Sequence, residues 1–232
     1  MAIKEFPLVG FTRINIHWAM EIEVARADSY SVAVSGNETQ LKNIDAHLEG
    51  DCLNIRYNLN LVSVLAAPLA RMSVRITLPE LRELNIAGAA TGRVHGFHSE
   101  SDFSLYLSGA SRLDIADMVV GNMKWELSGA SRVNAEIKAS GDVRIRDSGA
   151  SRVDLKGSGK DLDLEAAGAS HIEALDFTVH NARVHFSGAS RGSINLDGKL
   201  DAGLEGASHL EFKGQATMGD TRVGGASSLQ RR

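Results

Sequence analysis

The sequence predicts an all-β chain built as a single-stranded, right-handed parallel β-helix of about eight coils of 18–21 residues, with an irregular N-terminal β cap. The first observation behind this is a returning phrase. It stands as Gly88-Ala89-Ala90, then as Gly-Ala-Ser beginning at Gly109, Gly129, Gly149, Gly168, Gly188, Gly206 and Gly225, in steps of 21, 20, 20, 19, 20, 18 and 19 residues. A fixed period in this range marks a stacked repeat, because a unit so small buries its apolar face only against its neighbours. The second observation is the alternation around each Gly, as in Leu105-Tyr106-Leu107-Ser108-Gly109-Ala110-Ser111-Arg112-Leu113-Asp114-Ile115. That is the period of a strand with one buried face, and no helical spacing survives across a copy. The third is composition: 23 Gly and only 5% aromatic residues in 232 suit a thin column with small corners.

Residues 1–80 are expected to cap the column and residues 81–232 to form its repeats. In the cap, Phe11–Ile16, Met20–Val24 and Tyr30–Val34 alternate as strands. Asn37 is placed to cap a short helix over Glu38 to Asn43. Ile44–Leu48 and Cys52–Tyr57 flank Glu49-Gly50-Asp51 as a hairpin. The stretch 59–70, apolar but aperiodic and containing Pro68, reads as a loop or packing flap, and Val74–Leu78 as a strand.

Within the repeats, Gly109, Gly129, Gly149, Gly168, Gly188, Gly206 and Gly225 are structural corners where a Cβ would obstruct the backbone. The Ala after each Gly is expected to fill a tight corner, so that Ala150→Leu would overfill it and destabilise by about 1–3 kcal/mol. The Ser that follows is expected to hydrogen-bond along the stack. The right-handed sense comes from the crossover rule for parallel strands. Solenoid ends need covers, because an open rung offers unpaired backbone groups. The polar finish Ser227-Ser228-Leu229-Gln230-Arg231-Arg232 is either a charged end cap or a surface that another copy of the chain covers, which keeps a homo-oligomer among the expected partners.

The net charge of −4 gives no electrostatic reason to expect nucleic acid, whose partners are typically basic. A single cysteine, Cys52, excludes an intramolecular disulfide and a paired-thiol metal or redox site; it reads as buried and inert. No apolar stretch is long enough to insert in a bilayer as a helix. Met1–Pro7 lacks the basic start and apolar run of a secretory signal, leaving either a cytoplasmic chain or one whose export signal has been replaced by a start Met.

The sharpest surface feature is the column after each Ser: Arg112, Arg132, Arg152, His171, Arg191 and His209, with Ser228 last. Two positions later stand Asp114, Asn134, Asp154, Glu173, Ser193 and Glu211 on the same outward phase. Arg binds carboxylate and sulfate through two parallel hydrogen bonds, so a ladder of this kind could face an anionic polysaccharide or a protein surface. The competing reading is that the acidic column offsets stacked like charges, as cross-strand pairs do. A pectinase-like, polysaccharide-active enzyme is the alternative function. It would need converging carboxylates, whereas Asp114, Asp154, Asp161 and Asp163 are spread along the repeat and no Asp-Asp pair occurs, so no catalytic residue is assigned. Neither His95 with His98 nor His180 with His185 has cysteine or carboxylate company at metal-ligand spacing, so neither metal nor cofactor is expected. Gly157-Ser158-Gly159-Lys160-Asp161 reads as a tight turn rather than a calcium or phosphate loop. Tyr106 falls on the outward phase and Trp125 on the inward one, too little for an aromatic sugar platform.

The Phe-Thr-x-Ile-x-Ile strand from Phe11, the Ile-Thr-Leu-Pro-x-Leu-x-x-Leu segment from Ile76 and the tandem Ser-Gly-Ala-Ser copies together resemble the DUF2807 family, described as putative auto-transporter adhesins with a head GIN domain. The resemblance covers essentially the whole chain. It implies a bacterial β-helix, exported or envelope-associated, without an established catalytic activity. It carries no functional residue over. A non-catalytic binding or scaffold module is favoured by the regularity of the repeat, since active sites tend to break local pattern.

Overall fold

The computed structural model describes residues 2–58 and 72–232; the stretch read as a loop or flap at 59–70 lies outside them. Each copy of the Gly phrase joins one strand before the corner to one after it. The pairs are Glu83–Gly88 with Thr91–His95, Phe103–Gly109 with Arg112–Val120, Met123–Gly129 with Arg132–Ala139, and Val143–Asp147 with Arg152–Ser158. They continue as Asp161–Gly168 with His171–Val179, Asn181–Gly188 with Arg191–Leu196, Lys199–Leu204 with His209–Lys213, and Thr217–Val223 with Ser228–Arg231. Strands before the corners belong to an 11-stranded sheet and those after them to a 12-stranded sheet, here the pre-corner and post-corner sheets.

The repeats pair in parallel and in register, Leu105 beside Trp125, Ile145 and Leu164 in turn. An apolar residue at an inward position therefore lands on its equivalent one rung away, about 4.8 Å along the column. The inward columns of both sheets fuse into one core, in which Trp125, Phe103 and Phe186 are fully buried. Core volume is balanced across it: a side chain at Gly192 would collide with the Phe186 ring. The β-solenoid expected from the alternation is what forms.

Two further parallel rungs come from the N-terminal part. Arg13–His17 lies between Glu83–Gly88 and Cys52–Tyr57, while Glu21–Arg26 lies between Thr91–His95 and Ser73–Leu78. Stacking order thus departs from chain order at this end. Antiparallel strands finish both sheets: Ile44–Glu49 on Cys52–Tyr57, and Ser31–Gly36 on Ser73–Leu78 with Ala2–Glu5 outermost. Helix Glu38–Lys42 starts at Asn37, whose side chain accepts from the Gln40 amide while Gln40 reciprocates. That reciprocal cap is what the sequence there favours. Lys4 Nζ ties the outermost strand to the carbonyls of Leu41 and Ile44 at 3.2 and 3.1 Å.

The corners correct one expectation. Ala110, Ala130, Ala150, Ala169, Ala189, Ala207 and Ala226 are all exposed, whereas Ser111, Ser131, Ser151, Ser170, Ser190 and Ser208 are buried. Each corner Ala amide donates to the Gly carbonyl of the rung before, as Ala130 does to Gly109 at 2.8 Å. This bond turns the Ala side chain outward and returns the following Ser to the inward phase. The Gly is required by contact between rungs: at Gly129, with φ +93°, a Cβ would collide with the Gly109 carbonyl oxygen. Several Ser hydroxyls then donate to corner carbonyls, Ser111 to Gly88 and Ser170 to Gly149 at 3.2 Å each.

Cys52 is the second correction. Register with Arg13 puts it on the outer face, half-buried, rather than in the core. Burial is the main influence raising its pKa, which keeps the thiol protonated.

Candidate functional site

The strict period fixes the outer face of the post-corner sheet. Arg112, Arg132, Arg152, His171, Arg191 and His209 stand directly beside one another, with Thr91 before the first and Ser228 after the last. Asp114, Asn134, Asp154, Glu173, Ser193 and Glu211 form a parallel column two residues along. Between the columns the side chains of Leu113, Val133, Val153, Ile172 and Leu210 point inward and are buried. Both polar columns therefore lie on the outer face, exposed or half-buried except at Ser193, which is buried.

Only part of the ladder is neutralised. Arg152 forks onto Asp154 with two 3.0 Å hydrogen bonds, which raise the guanidinium pKa above its ordinary value. His171 lies 3.8 Å from Glu173 and His209 3.5 Å from Glu211. Elsewhere the acidic column is engaged otherwise: Asn134 donates to Asp114 at 2.6 Å and Ser193 to Glu173 at 2.7 Å. Among the described residues, Arg112, Arg132 and Arg191 make no ion pair. Arg112 and Arg132 are neighbours in register, both exposed. On one side of the ladder lies the low shelf of exposed corner Gly and Ala residues. On the other lies a groove of about 490 Å³ lined by Asp114, Asp154, Glu173, Glu136 and Lys156. An anion is repelled from the groove and unobstructed over the shelf.

The carboxylates weighed for hydrolysis do not converge. Asp114 and Asp154 sit on the post-corner sheet, Asp161 and Asp163 on the pre-corner sheet. Asp161 accepts from the backbone and side-chain amides of Asn181 at 3.0 Å each, and Asp163 from Arg144 Nε at 2.9 Å. Of the histidines weighed for a metal, His98 pairs with Asp117 at 2.8 Å and His180 with Asp197 at 2.9 Å, while His47 lies between Asp45 and Glu49 at 2.8 and 3.2 Å. Tyr106 is half-buried on the outer face under Lys124, whose Nζ lies 5.3 Å from its ring centre. Within Gly157–Asp161 the turn itself is Gly159 and Lys160, between strands Arg152–Ser158 and Asp161–Gly168, with the Gly159 amide donating to Thr178 O at 3.0 Å.

Two features went unread in the sequence. Asp102, Asn122 and Asp142 form a ladder at the opposite corner, the Asn122 amide donating to Asp102 and the Asp142 amide to Asn122. Their spacing of 20 residues was the available signal. The other is Asp147, buried at 3% exposure in the inward column between Leu127 and Ala166. Its Oδ1 accepts from the Gly149 amide at 2.9 Å, while Oδ2 has no partner among the described residues.

No curated protein matches the chain. Among solved structures, a putative adhesin from Parabacteroides merdae matches with a TM-score of 0.84 at 14% identity, over 100% of this chain and 95% of that one. A putative lipid binding protein from Parabacteroides distasonis gives 0.80 at 14%, over 100% and 96%. A putative adhesin from Bacteroides fragilis gives 0.62 at 16%, over 100% and 93%. At these identities the likeness is one of fold. The family model described as "Putative auto-transporter adhesin, head GIN domain" matches residues 10–216, and the chain belongs to that family, DUF2807.

Proposed function

We propose that the protein is a non-catalytic adhesive module of the cell envelope that holds an extended anionic polymer, a uronic or sulfated polysaccharide, along the post-corner ladder. The observation that carries this reading is the adjacent pair Arg112 and Arg132, exposed, in register and without a carboxylate, beside the shelf of corner Ala residues. Guanidinium forks suit carboxylate and sulfate bidentately. Rungs about 4.8 Å apart let one chain of anionic groups meet several forks without bending. Arg191 would add a further contact, whereas Arg152 is already occupied by Asp154. The family's adhesin description supports both the binding role and the envelope location.

A glycan array rich in uronic and sulfated polymers tests it. Parent protein should bind, and Arg112→Glu/Arg132→Glu should lose binding with its circular dichroism and melting unchanged. Binding that survives the double substitution would move the ligand elsewhere. Incubation with the same polymers tests non-catalysis: shortened or unsaturated products would replace the adhesive reading with an enzymatic one.

A further inference from the structure

The last rung differs from those before it. Its strands Thr217–Val223 and Ser228–Arg231 end the two sheets, each paired on one side only among the described residues. Met218 and Val223 stand over Leu200 and Leu204 on inward columns, yet are 44% and 45% exposed. The two edges are not alike. On the post-corner edge Arg231 takes the inward position over Phe212 and donates from Nη2 to Gly214 O at 2.7 Å. A charge on the inward phase is a device that blunts an edge. On the pre-corner edge the inward positions are Met218, Thr221 and Val223, without a charge; a register shift lies between Met218 and Thr221, so the regular run of this edge is Thr221–Val223. Its outward positions carry Asp220 and Arg222, paired at 3.2 Å with side chains 69% and 83% exposed.

That charge pattern is self-complementary. In an antiparallel pair of strands, directly opposed residues share a face. If two Thr217–Val223 edges meet about a two-fold axis at Thr221, each Asp220 opposes the second copy's Arg222, and the two Thr221 side chains meet on the inward face. We infer that this edge is a docking surface for a second copy of the chain, joining two columns end to end through one continuous pre-corner sheet. An isologous contact demands a patch that complements itself, and one acid and one base flanking a central residue meet that demand. Head-to-tail stacking would instead set this edge on the opposite end of another copy and grow without closing.

Light scattering and sedimentation of the full chain over a wide dilution range test the inference. The parent should pass from monomer to dimer and stop there. Arg222→Asp places two acids opposite each other and should weaken dimerisation by roughly ten-fold or more. The exchange Asp220→Arg/Arg222→Asp restores the opposition and should restore the dimer. Amide exchange across Thr217–Val223 in the parent should slow as concentration rises. A parent that stays monomeric, one that grows beyond a dimer, an Arg222→Asp variant that associates undiminished, or an exchange variant that fails to recover would each overturn it.

Discussion

At the scale of single residues, the corner is a division of labour among three small side chains. Gly129 must lack a Cβ because the Gly109 carbonyl occupies that space and because its φ is +93°. Gly129→Ala should therefore lower stability by about 3 kcal/mol in denaturant unfolding. Ala150 faces solvent, so Ala150→Leu should change stability by less than about 0.5 kcal/mol. Ser151→Leu, at the buried position beside it, should cost about 1–3 kcal/mol. The phase was readable: Arg152 points out, so Ser151, one residue before, points in. Both residues being small, size gave no help in choosing between them. Asp147 is the opposite case, a carboxylate on an inward column with one oxygen unpartnered. Gly149 beside it also lacks the positive φ of Gly129 and Gly168. Asp147→Leu removes an uncompensated buried polar atom at the loss of one hydrogen bond, and should stabilise by about 1 kcal/mol. A lower melting temperature would mean that the altered corner depends on the carboxylate.

At the scale of elements, what was legible is what local chemistry decides. Alternation located the strands, Asn37 located the helix start, and Glu49-Gly50-Asp51 located the hairpin. The seat of Arg13–His17 between Glu83–Gly88 and Cys52–Tyr57 was not legible. Any strand with the same alternation offers the same edge, and the choice among them is tertiary. The last rung is held by longer reach. Asp201 accepts from the Asp220 amide at 2.8 Å and pairs with Lys199 at 2.9 Å. Lys199 first, then that amide, holds the Asp201 pKa below its ordinary value. A carboxylate with a depressed folded pKa stabilises above its unfolded pKa and loses that contribution as pH falls through the folded one. Amide exchange in Thr217–Val223, corrected for its intrinsic pH dependence, should accelerate in that acid window and, in Asp201→Ala, already at neutral pH. Exchange unchanged in both would show that the rung is held by its backbone ladder alone.

At the scale of the whole molecule, the ladder exists because steps of 18–21 residues absorb their variation away from the Ser-Gly-Ala-Ser corner, keeping the residues after it in register. That much could be read from spacing. Which arginines are free could not. Asp154 turns back onto Arg152, whereas Asp114, equally placed beside Arg112, takes the Asn134 amide instead. A difference of one residue type a rung away thus decides whether a guanidinium is occupied. The same regularity distributes the hydrolytic candidates over two sheets.

The most direct measurement is the affinity of the parent, of Arg112→Glu/Arg132→Glu and of Arg152→Glu for a sulfated polysaccharide, each at low and at raised salt. Parent binding that weakens with salt, vanishes in the double variant and largely survives in Arg152→Glu is the predicted result. Equal binding by all three, or equal loss in both variants, would contradict a track built on the unpaired arginines.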